Sequence, residues 1–525
     1  MMQENFRQVL EKSIPRILSQ LDRDPHSPTF GSFDRDFWHY KIRDFSSMVL
    51  QQGAIILHVL KNTETVGNPF FRSPIVEDWL QGSLVFWARS QLRSGSFNEY
   101  YPFEHGFPPT AFSLYATGIL LHSRQHQAAP EVLRSVQKAI DWLLAHQEKR
   151  ALNQEMAGLA GIALCFDLPG ISIDKNRYEQ RLTEFFASQS AEGWFPEYDG
   201  PDLGYLSVTI DCLYDYFLVT RDQRAFQAMT RAIDFMHTLL VGSTELPVMI
   251  NSRNTGYIVP YGIVRMAANY PPAAEIVDQV FADVKDSRHF LHKIDDRYSC
   301  HYVYQSCFRA LSFFDQIKRA ESNVPSVKTI FLGHSGILVK NLENGRILVS
   351  ARKGGVVYLL GRKEVLDCDY GWRLIDRKAC SVNHWQDNDY VCQYSDEILT
   401  IRGNFSRHGW IVQSVWKSVA LRFLSLFFGN RLIPWLKNIM IFSHKNAGIS
   451  FVRKIEWKGD ALYLRDEFQG DSVLIQKLEP APHYSLRHVA SAGSFEFEEL
   501  LFGKAKNGWG KNSEGGFSRT MRLSP

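Results

Sequence analysis

At 525 residues, 45% of them hydrophobic and 13% aromatic, the chain is long enough for two large domains or three smaller ones, each with a substantial core. A net charge of +3 gives no sign of a nucleic-acid partner, and seven scattered cysteines, never spaced CxxC, argue against a disulfide framework and a zinc site. No stretch of 18 uninterrupted apolar residues occurs, and Met1–Gln20 carries Glu4, Arg7, Glu11, Lys12 and Arg16 without an apolar core, so a cytoplasmic chain with no signal peptide is expected.

Residues 1 to about 320 read as helix after helix. Apolar periodicity near 3.6 predicts helices over Phe33–Leu60, Val76–Gln91, Thr110–Ser123, Val132–Ala145, Leu152–Cys165, Tyr178–Gln189, Leu203–Thr220, Gln223–Leu240, Tyr261–Asn269, Ala273–Val284 and His301–Lys318. Links between them are short, which makes neighbours antiparallel. Two of the links echo each other. Gly95-Ser96-Phe97-Asn98-Glu99-Tyr100 and Gly193-Trp194-Phe195-Pro196-Glu197-Tyr198 both read G-x-F-x-E-Y, and Glu99 and Glu197 stand 98 residues apart. Each turn precedes a helix, and Asp202 is placed to cap the second. A recurring turn-and-helix unit predicts helical hairpins arranged in an α/α toroid or arc, with these turns on one rim. Their aromatics and carboxylates would then face a shared cleft, although helix-entry turns with a buried aromatic have the same pattern.

Near Ser322–Ser326 the period changes to two. Short strands are predicted over Ile330–Leu332, Gly336–Lys340, Arg346–Ser350, Val356–Leu360, Glu364–Asp367, Tyr390–Gln393, Ile398–Arg402, Trp410–Val415, Ile449–Glu456, Ala461–Phe468, Val473–Leu478 and Phe495–Leu500. Many short strands separated by turns mean an antiparallel β-sandwich. The predicted fold is therefore multidomain α and β: a toroid over residues 1–320, then a sandwich over 327–503. From Lys504 the Gly-, Asn- and Ser-rich tail is expected to be loosely ordered.

One segment departs from this pattern. No Asp or Glu occurs between Glu397 and Glu456, while nine Lys or Arg do, and residues 415–445 are rich in Trp, Phe and Leu. A basic helix with an aromatic face suits a membrane interface, which would place the protein at the inner face of the membrane. The other reading is an insertion packed on the sandwich with its basic face solvated.

A toroid followed by a sandwich resembles the heparinase II/III-like polysaccharide lyases and their alginate-lyase relatives. Three stretches carry the resemblance: Ala151-Leu152-Asn153-Gln154-Glu155 with the small-residue helix after it, Glu192–Tyr205, and Gly354–Leu359 with Val365–Gly371. The resemblance implies β-elimination on an acidic, uronate-containing polysaccharide or oligosaccharide, in surface-polysaccharide metabolism. It implies that Asn153 neutralises the uronate carboxylate and Tyr205 moves the proton. Where the family carries a His-x-His-x-Asp cluster, this chain has Ser350-Ala351-Arg352-Lys353, so neither metal nor cofactor is expected.

Elimination needs the carboxylate neutralised, a base for the C5 proton and an acid for the leaving O4. Besides Asn153 and Tyr205, the polar loop Asn251–Tyr257 offers Arg253 and Asn254 to bind an anion and Tyr257 to work beside Tyr205. His384 is the best histidine in the sandwich; His105, His301 and His334 rank below it. Glu99, Trp194 and Glu197 are candidates for substrate contact. Two alternatives stand beside the lyase. A glycoside hydrolase would use Glu99 and Glu197, with Glu104 or Asp202, as carboxylates about 6.5–9.5 Å apart for inversion or about 5–5.5 Å for retention. An inactive carbohydrate-binding scaffold would keep the cleft without the acid and base.

Overall fold

The computed structural model describes residues 2–64, 68–123, 128–318, 328–343, 345–376, 379–409, 414–429, 432, 445–458, 461–481, 508–511 and 516–522. The N-terminal half holds α1 (Met2–Leu18), α2 (Arg35–Trp38), α3 (Gly53–Asn62), α4 (Pro74–Arg89), α5 (Phe107–Ser123), α6 (Pro130–Ala145) and α7 (Leu152–Leu164). It continues with α8 (Lys175–Ala187), α9 (Leu203–Thr220), α10 (Gln223–Leu240), α11 (Tyr261–Ala267), α12 (Pro271–Val280), α13 (Asp296–Ser299) and α14 (Val303–Leu311).

The ring closes. Helices α3, α5, α7, α9, α11 and α14 pack each on the next, and α14 returns to α3, while α4, α6, α8, α10 and α12 lie outside them. Sequence pattern assigns the layers. The inner α7 is buried along its whole length, and its Ala157, Gly158, Ala160, Gly161 and Ala163 let α5 and α9 approach closely. The outer α10 buries a single stripe that includes Ala225, Met229, Ala232, Met236 and Leu239. The helix expected over Phe33–Leu60 is broken into α2, a loop, a 3-10 turn at Met48–Gln52 and α3. Asp34 causes the break, because its carboxylate binds the Ser47 amide at 2.7 Å and Arg43 at 2.6 Å, fixing a turn that an unbroken helix could not make.

The C-terminal half is a sandwich of two antiparallel sheets. The first is a meander of β1 (Thr329–Leu332), β2 (Ile337–Leu342), β3 (Gly345–Ser350), β4 (Val356–Leu360) and β5 (Val365–Asp369). The second contains β6 (Trp372–Ile375), β7 (Ala379–Val382), β8 (Val391–Ser395), β9 (Ile398–Gly409), β10 (Lys445–Lys458), β11 (Ala461–Gly470), β12 (Glu479–Pro480), β13 (Gly510–Lys511) and β14 (Phe517–Arg522). Between β9 and β10 lies α15 (Val415–Phe428).

The first sheet is apolar on both faces. Ile347, Val349, Val357 and Leu359 pack into the sandwich core with Leu399, Ile401, Ile455 and Leu464. The alternate residues Leu348, Val356, Tyr358 and Leu360 join the core of the toroid. Period two is therefore obeyed, yet neither face meets water, and the molecule is a three-layer stack of toroid, sheet and sheet. Arg346 on β3 ties the layers by donating to the Thr238, Leu239 and Val241 carbonyls that end α10, at 2.6, 3.1 and 2.6 Å. A cation at a helix C-terminus also answers its dipole.

Two local expectations are corrected. Val473–Leu478, read as a strand, begins instead with a helical turn over Ser472–Ile475, capped by Asp471 on the Val473 amide at 2.8 Å. The tail read as loose contains β14, which pairs with β11 and buries Met521. Its Arg519 reaches Asp367 at 2.7 Å and Asp369 at 3.0 Å, partners that composition does not reveal. The strand expected at Phe495–Leu500 lies outside the described residues, as do positions 410–413 of the one expected at Trp410–Val415, whose last residue opens α15.

Candidate functional site

The two echoing turns are built alike. Gln91 donates to the Gly95 and Ser135 carbonyls, and Gln189 donates to those of Gly193 and Ala228. Gly95 and Gly193 adopt φ of 96° and 102°, and a Cβ on either would strike the Lys138 or Arg231 carbonyl of the next outer helix. Only glycine combines that dihedral with that closeness. Phe97 stacks on Trp87 and Phe195 on Phe185, so the aromatic of each motif is a core residue. Both glutamates are buried near the inner rim. The glutamine four residues before each glycine was legible in the sequence and is the stronger half of the signature, Q-x3-G-x-F-x-E-Y.

From the second turn the site is assembled upward. Asn153, in the first turn of α7, donates to Glu197 Oε2 at 2.5 Å. Asp202 caps α9 by accepting from the Tyr205 amide at 3.1 Å. The same carboxylate takes the Arg253 amide at 3.0 Å and the Thr255 hydroxyl, which pins the 251–257 loop against α9. Ser252 Oγ donates to the Glu197 carbonyl at 2.6 Å, closing the turn onto that loop. The Arg253 guanidinium lies 4.3 Å from the Tyr198 ring centroid.

Tyrosines form a cluster here. Tyr205 and Tyr257 meet edge-on at 6.4 Å, and Tyr302 stands 6.2 Å from Tyr205 and 6.0 Å from Tyr257. Tyr298 completes it, 5.9 Å from Tyr257, and His301 stacks on Tyr302 at 3.5 Å. Burial first, then the neighbouring tyrosines, push Tyr257 and Tyr302 well above the ordinary phenol range. Tyr298 and Tyr302 were not anticipated, since α13 and the loop around it carry no regular pattern.

The sandwich binds to this cluster from the other side. Lys353 donates to the Asn251 carbonyl at 2.6 Å and to Asn254 Oδ1, and Asn388 Nδ2 donates to the Asp199 carbonyl at 2.7 Å. Lys353 occupies the place where the histidine cluster of the resembled family would stand. Burial pushes its ammonium down to about 7, with Asp202 opposing that fall and Arg253 adding to it. His384 lies deeper in the sandwich and is held down to about 3, first by burial and then by Lys353. So weak a base suits proton abstraction poorly.

Glu197 has the opposite perturbation. Burial and then the nearby Asp202 push its carboxyl well above the ordinary value, outweighing Asn153 and Arg253. Asn153 takes up Oε2 and leaves Oε1 of that carboxyl. That Oε1 has no partner, and neither do Asn153 Oδ1, Arg253 Nε, Arg253 Nη2 or the Tyr257 hydroxyl, all buried. Buried polar groups are ordinarily paired, so such a concentration marks a place prepared for something polar.

The remaining predicted residues fall at the margin. Asn254 is half-buried, with φ of 54°, and holds Lys353. Trp194 turns away: its Nε1 donates to Glu192 at 3.0 Å, and Glu192 accepts from the His334 and Ser335 amides of the β1–β2 turn. Glu104 accepts from the Glu99 and Tyr100 amides at 2.6 and 2.8 Å, which makes it a structural member of its turn. A cavity of about 390 Å³ lies elsewhere, between residues 244–248, 282–293 and the first sheet, and includes none of the predicted site residues. Among the described residues no group of three or more His, Cys, Asp or Glu is arranged to hold a metal ion.

The fold is a closed α/α toroid backed by an antiparallel sandwich, with a buried, polar, tyrosine-rich cluster where they meet. No family model and no curated protein matches the sequence. Among solved structures, the chain is similar to the chondroitin AC lyase of Streptomyces coelicolor A3 in complex with chondroitin sulphate, with a TM-score of 0.48 and 10% identity over 88% of this chain. The match spans a little under two thirds, 66%, of that lyase. A second similar structure is described as a glycoside hydrolase, with a TM-score of 0.32 and 10% identity over 74% of this chain and 73% of that one.

Proposed function

We propose that the tyrosine-rich cluster binds the carboxylate of a uronate-containing polysaccharide or oligosaccharide and promotes β-elimination, as the heparinase II/III resemblance implies. One observation carries the reading: Arg253, Glu197, Tyr257 and Asn153 leave buried polar atoms open in a single cluster, and burial favours the neutral form of Glu197. A carboxylate entering there meets the guanidinium, and a proton on Glu197 would add to it, offsetting its charge and making the adjacent C5–H more acidic. Burial holds Tyr257 and Tyr302 well above the ordinary phenol range, so both keep their protons in the free protein, ready for a leaving oxygen more basic than themselves. Tyr257 is therefore assigned to protonating the leaving O4. Tyr205 acts as a phenolate, its own proton already released to solvent: it takes the C5 proton as the C4–O4 bond breaks and Tyr257 protonates O4, and solvent then returns the proton from Tyr205 to Tyr257.

A second reading is kept because burial pushes the Glu197 carboxyl well above its ordinary value, the direction a glycosidase acid requires. In that case Glu99 is the other carboxylate. The deciding experiment incubates the protein with uronate polysaccharides of differing linkage and follows both new reducing ends and ultraviolet absorbance. Elimination leaves a conjugated unsaturated end that absorbs; hydrolysis yields reducing ends without it. Under the lyase reading Tyr257→Phe and Asn153→Ala lose the absorbance signal. New reducing ends without absorbance, lost in Glu197→Gln, replace the lyase by the hydrolase. No product, and no heat with millimolar uronate oligosaccharide, removes both together with the binding-scaffold reading.

A further inference from the structure

Helix α15 is inside out. Its protein-facing side carries Ser425, which is buried, with Ser418 and Leu421 half-buried one turn and two turns apart along the same face. Its opposite side carries Val415, Trp416, Val419, Phe423, Leu426 and Phe427, and Trp416 is 81% exposed. An ordinary surface helix turns its apolar stripe inward. The reading in which this segment packs on the sandwich with a solvated basic face is thereby corrected: the apolar side is the solvated one. Exposed apolar surface of this extent marks a contact site.

The helix is also fixed in place over the toroid. Arg422 pairs with Asp44 at 2.6 Å, and a Cβ at Gly429 would come within 3.2 Å of the His105 ring. The two rim loops it touches are themselves studded with exposed apolar side chains, Tyr40 and Ile42 in one, Tyr100 and Phe103 in the other. Both domains thus contribute to one apolar face.

Charge decides what covers that face. From Ile398 to Ile455 there is no acidic residue; Arg35, Lys41, Lys417 and Arg422 stand beside the exposed aromatics, and Glu104, next to Phe103, is buried. The acids of the adjoining loop are already answered, Asp44 by Arg422 and Asp36 by Arg43. Two copies of such a face would bring like charges together, whereas anionic headgroups complement it. No helix among the described residues is long and apolar enough to cross a bilayer. At 14 residues α15 is about 21 Å long, fit to lie in the plane of an interface with Trp and Phe dipped into it.

We propose that α15 and the two rim loops dock this protein on a membrane surface bearing anionic lipid. This holds whatever chemistry the tyrosine-rich cluster performs. The test is flotation of the full chain with phosphatidylglycerol-containing vesicles and with pure phosphatidylcholine vesicles, beside a Trp416→Ser, Phe423→Ser, Phe427→Ser variant. These side chains are exposed, so the variant keeps the wild-type circular dichroism and melting profile. Expected is a rise of about tenfold or more in floated protein with the anionic vesicles, absent with neutral ones, weakened by salt and lost in the variant. Protein that stays in the soluble fraction overturns the proposal, as does flotation that the variant retains. A dimer seen by light scattering, broken by the same substitutions and unaccompanied by flotation, assigns the face to a second copy instead.

Discussion

Two buried clusters of charge in this molecule follow opposite rules. In the sandwich, Arg453 is fully buried and all three of its nitrogens are bonded: Nε and Nη2 to Asp466 at 2.8 and 2.6 Å, Nη1 to Asp369 at 2.7 Å and the Gly355 carbonyl at 2.9 Å. Asp369 also takes Arg519, and Asp466 takes the Trp372 indole at 2.6 Å. Burial works against the Asp369 carboxylate, but the two guanidinium groups outweigh it and hold it below its ordinary value. In the tyrosine-rich cluster, Arg253 is 5% exposed, yet two of its nitrogens have no partner, and the nearest carboxyl favours its neutral form. The first cluster spends its hydrogen bonds on the fold. The second withholds them, which is what a ligand site requires.

The largest expected effect tests the first half of that contrast. Arg453→Met strands Asp369 and Asp466 in the core, and breaking a buried pair by removing one partner destabilises by about 3–5 kcal/mol. Guanidinium unfolding followed by intrinsic fluorescence should show the loss directly. A change below about 1 kcal/mol would mean the network contributes little, and the comparison would break.

Arg253→Gln tests the second half. The side chain satisfies nothing with its Nε and Nη2, so stability should move by no more than about 1 kcal/mol. Affinity for a uronate oligosaccharide should fall by roughly tenfold to a hundredfold, the equivalent of about 1.5–3 kcal/mol for a charged hydrogen bond. Calorimetric titration and a melting curve separate the two readouts. A large loss of stability with affinity intact would make Arg253 a structural residue.

The pH dependence sharpens the contrast further. Glu197 has a folded pKa above 4.5, so above that pH the folded chain keeps a proton the unfolded chain has released. Its contribution is fully present below 4.5 and is lost as the pH rises through the folded value. Asp211, raised to about 7 chiefly by burial, acts in the same direction. Lys353 acts the other way: between about 7 and 10.5 only the unfolded chain holds its proton, and stability rises with pH across that window. Glu197→Gln should therefore gain stability relative to wild type as the pH rises above 4.5, read from melting temperatures across a pH series. A constant difference at all pH would show that Glu197 is ionised in the folded state.

Much of this architecture was legible because its signals are local. Helix periodicity gave the hairpins, the G-x-F-x-E-Y echo marked two turns that the structure builds alike, and Asp202 gave a cap that the structure keeps. The change of period separates the helices from the strands. Less legible were features that depend on distant partners. Tyr298 and Tyr302 join Tyr205 and Tyr257 only because the ring closes, which no window of sequence contains. Trp194 was drawn off by Glu192 and the β1–β2 turn, and β14 is secured by Arg519 reaching Asp367 and Asp369, contacts about 150 residues apart in sequence. Val356–Leu360 reads as a strand, but the burial of both its faces reflects the toroid behind it.

The smallest structural effect should accompany Tyr257→Phe, and for that reason it is the cleanest discriminator. The hydroxyl is buried without a partner, so the native state bears its desolvation with nothing gained in return. Removing it should leave the melting temperature unchanged or raise it slightly, by less than about 1 kcal/mol of stability. The ring stays in place against Tyr205, Tyr298 and Tyr302, so the cluster keeps its shape. Any loss of turnover must then come from the missing proton donor and not from a collapsed site. Under elimination the rate should fall by about a hundredfold or more, a typical general-acid contribution, with substrate affinity nearly unchanged. Under hydrolysis by Glu197 the same variant should retain most of its activity, since the acid there is a carboxyl. A marked drop in stability would show that the hydroxyl does have a partner in the folded protein, and Tyr257 would then belong with the satisfied groups of the sandwich.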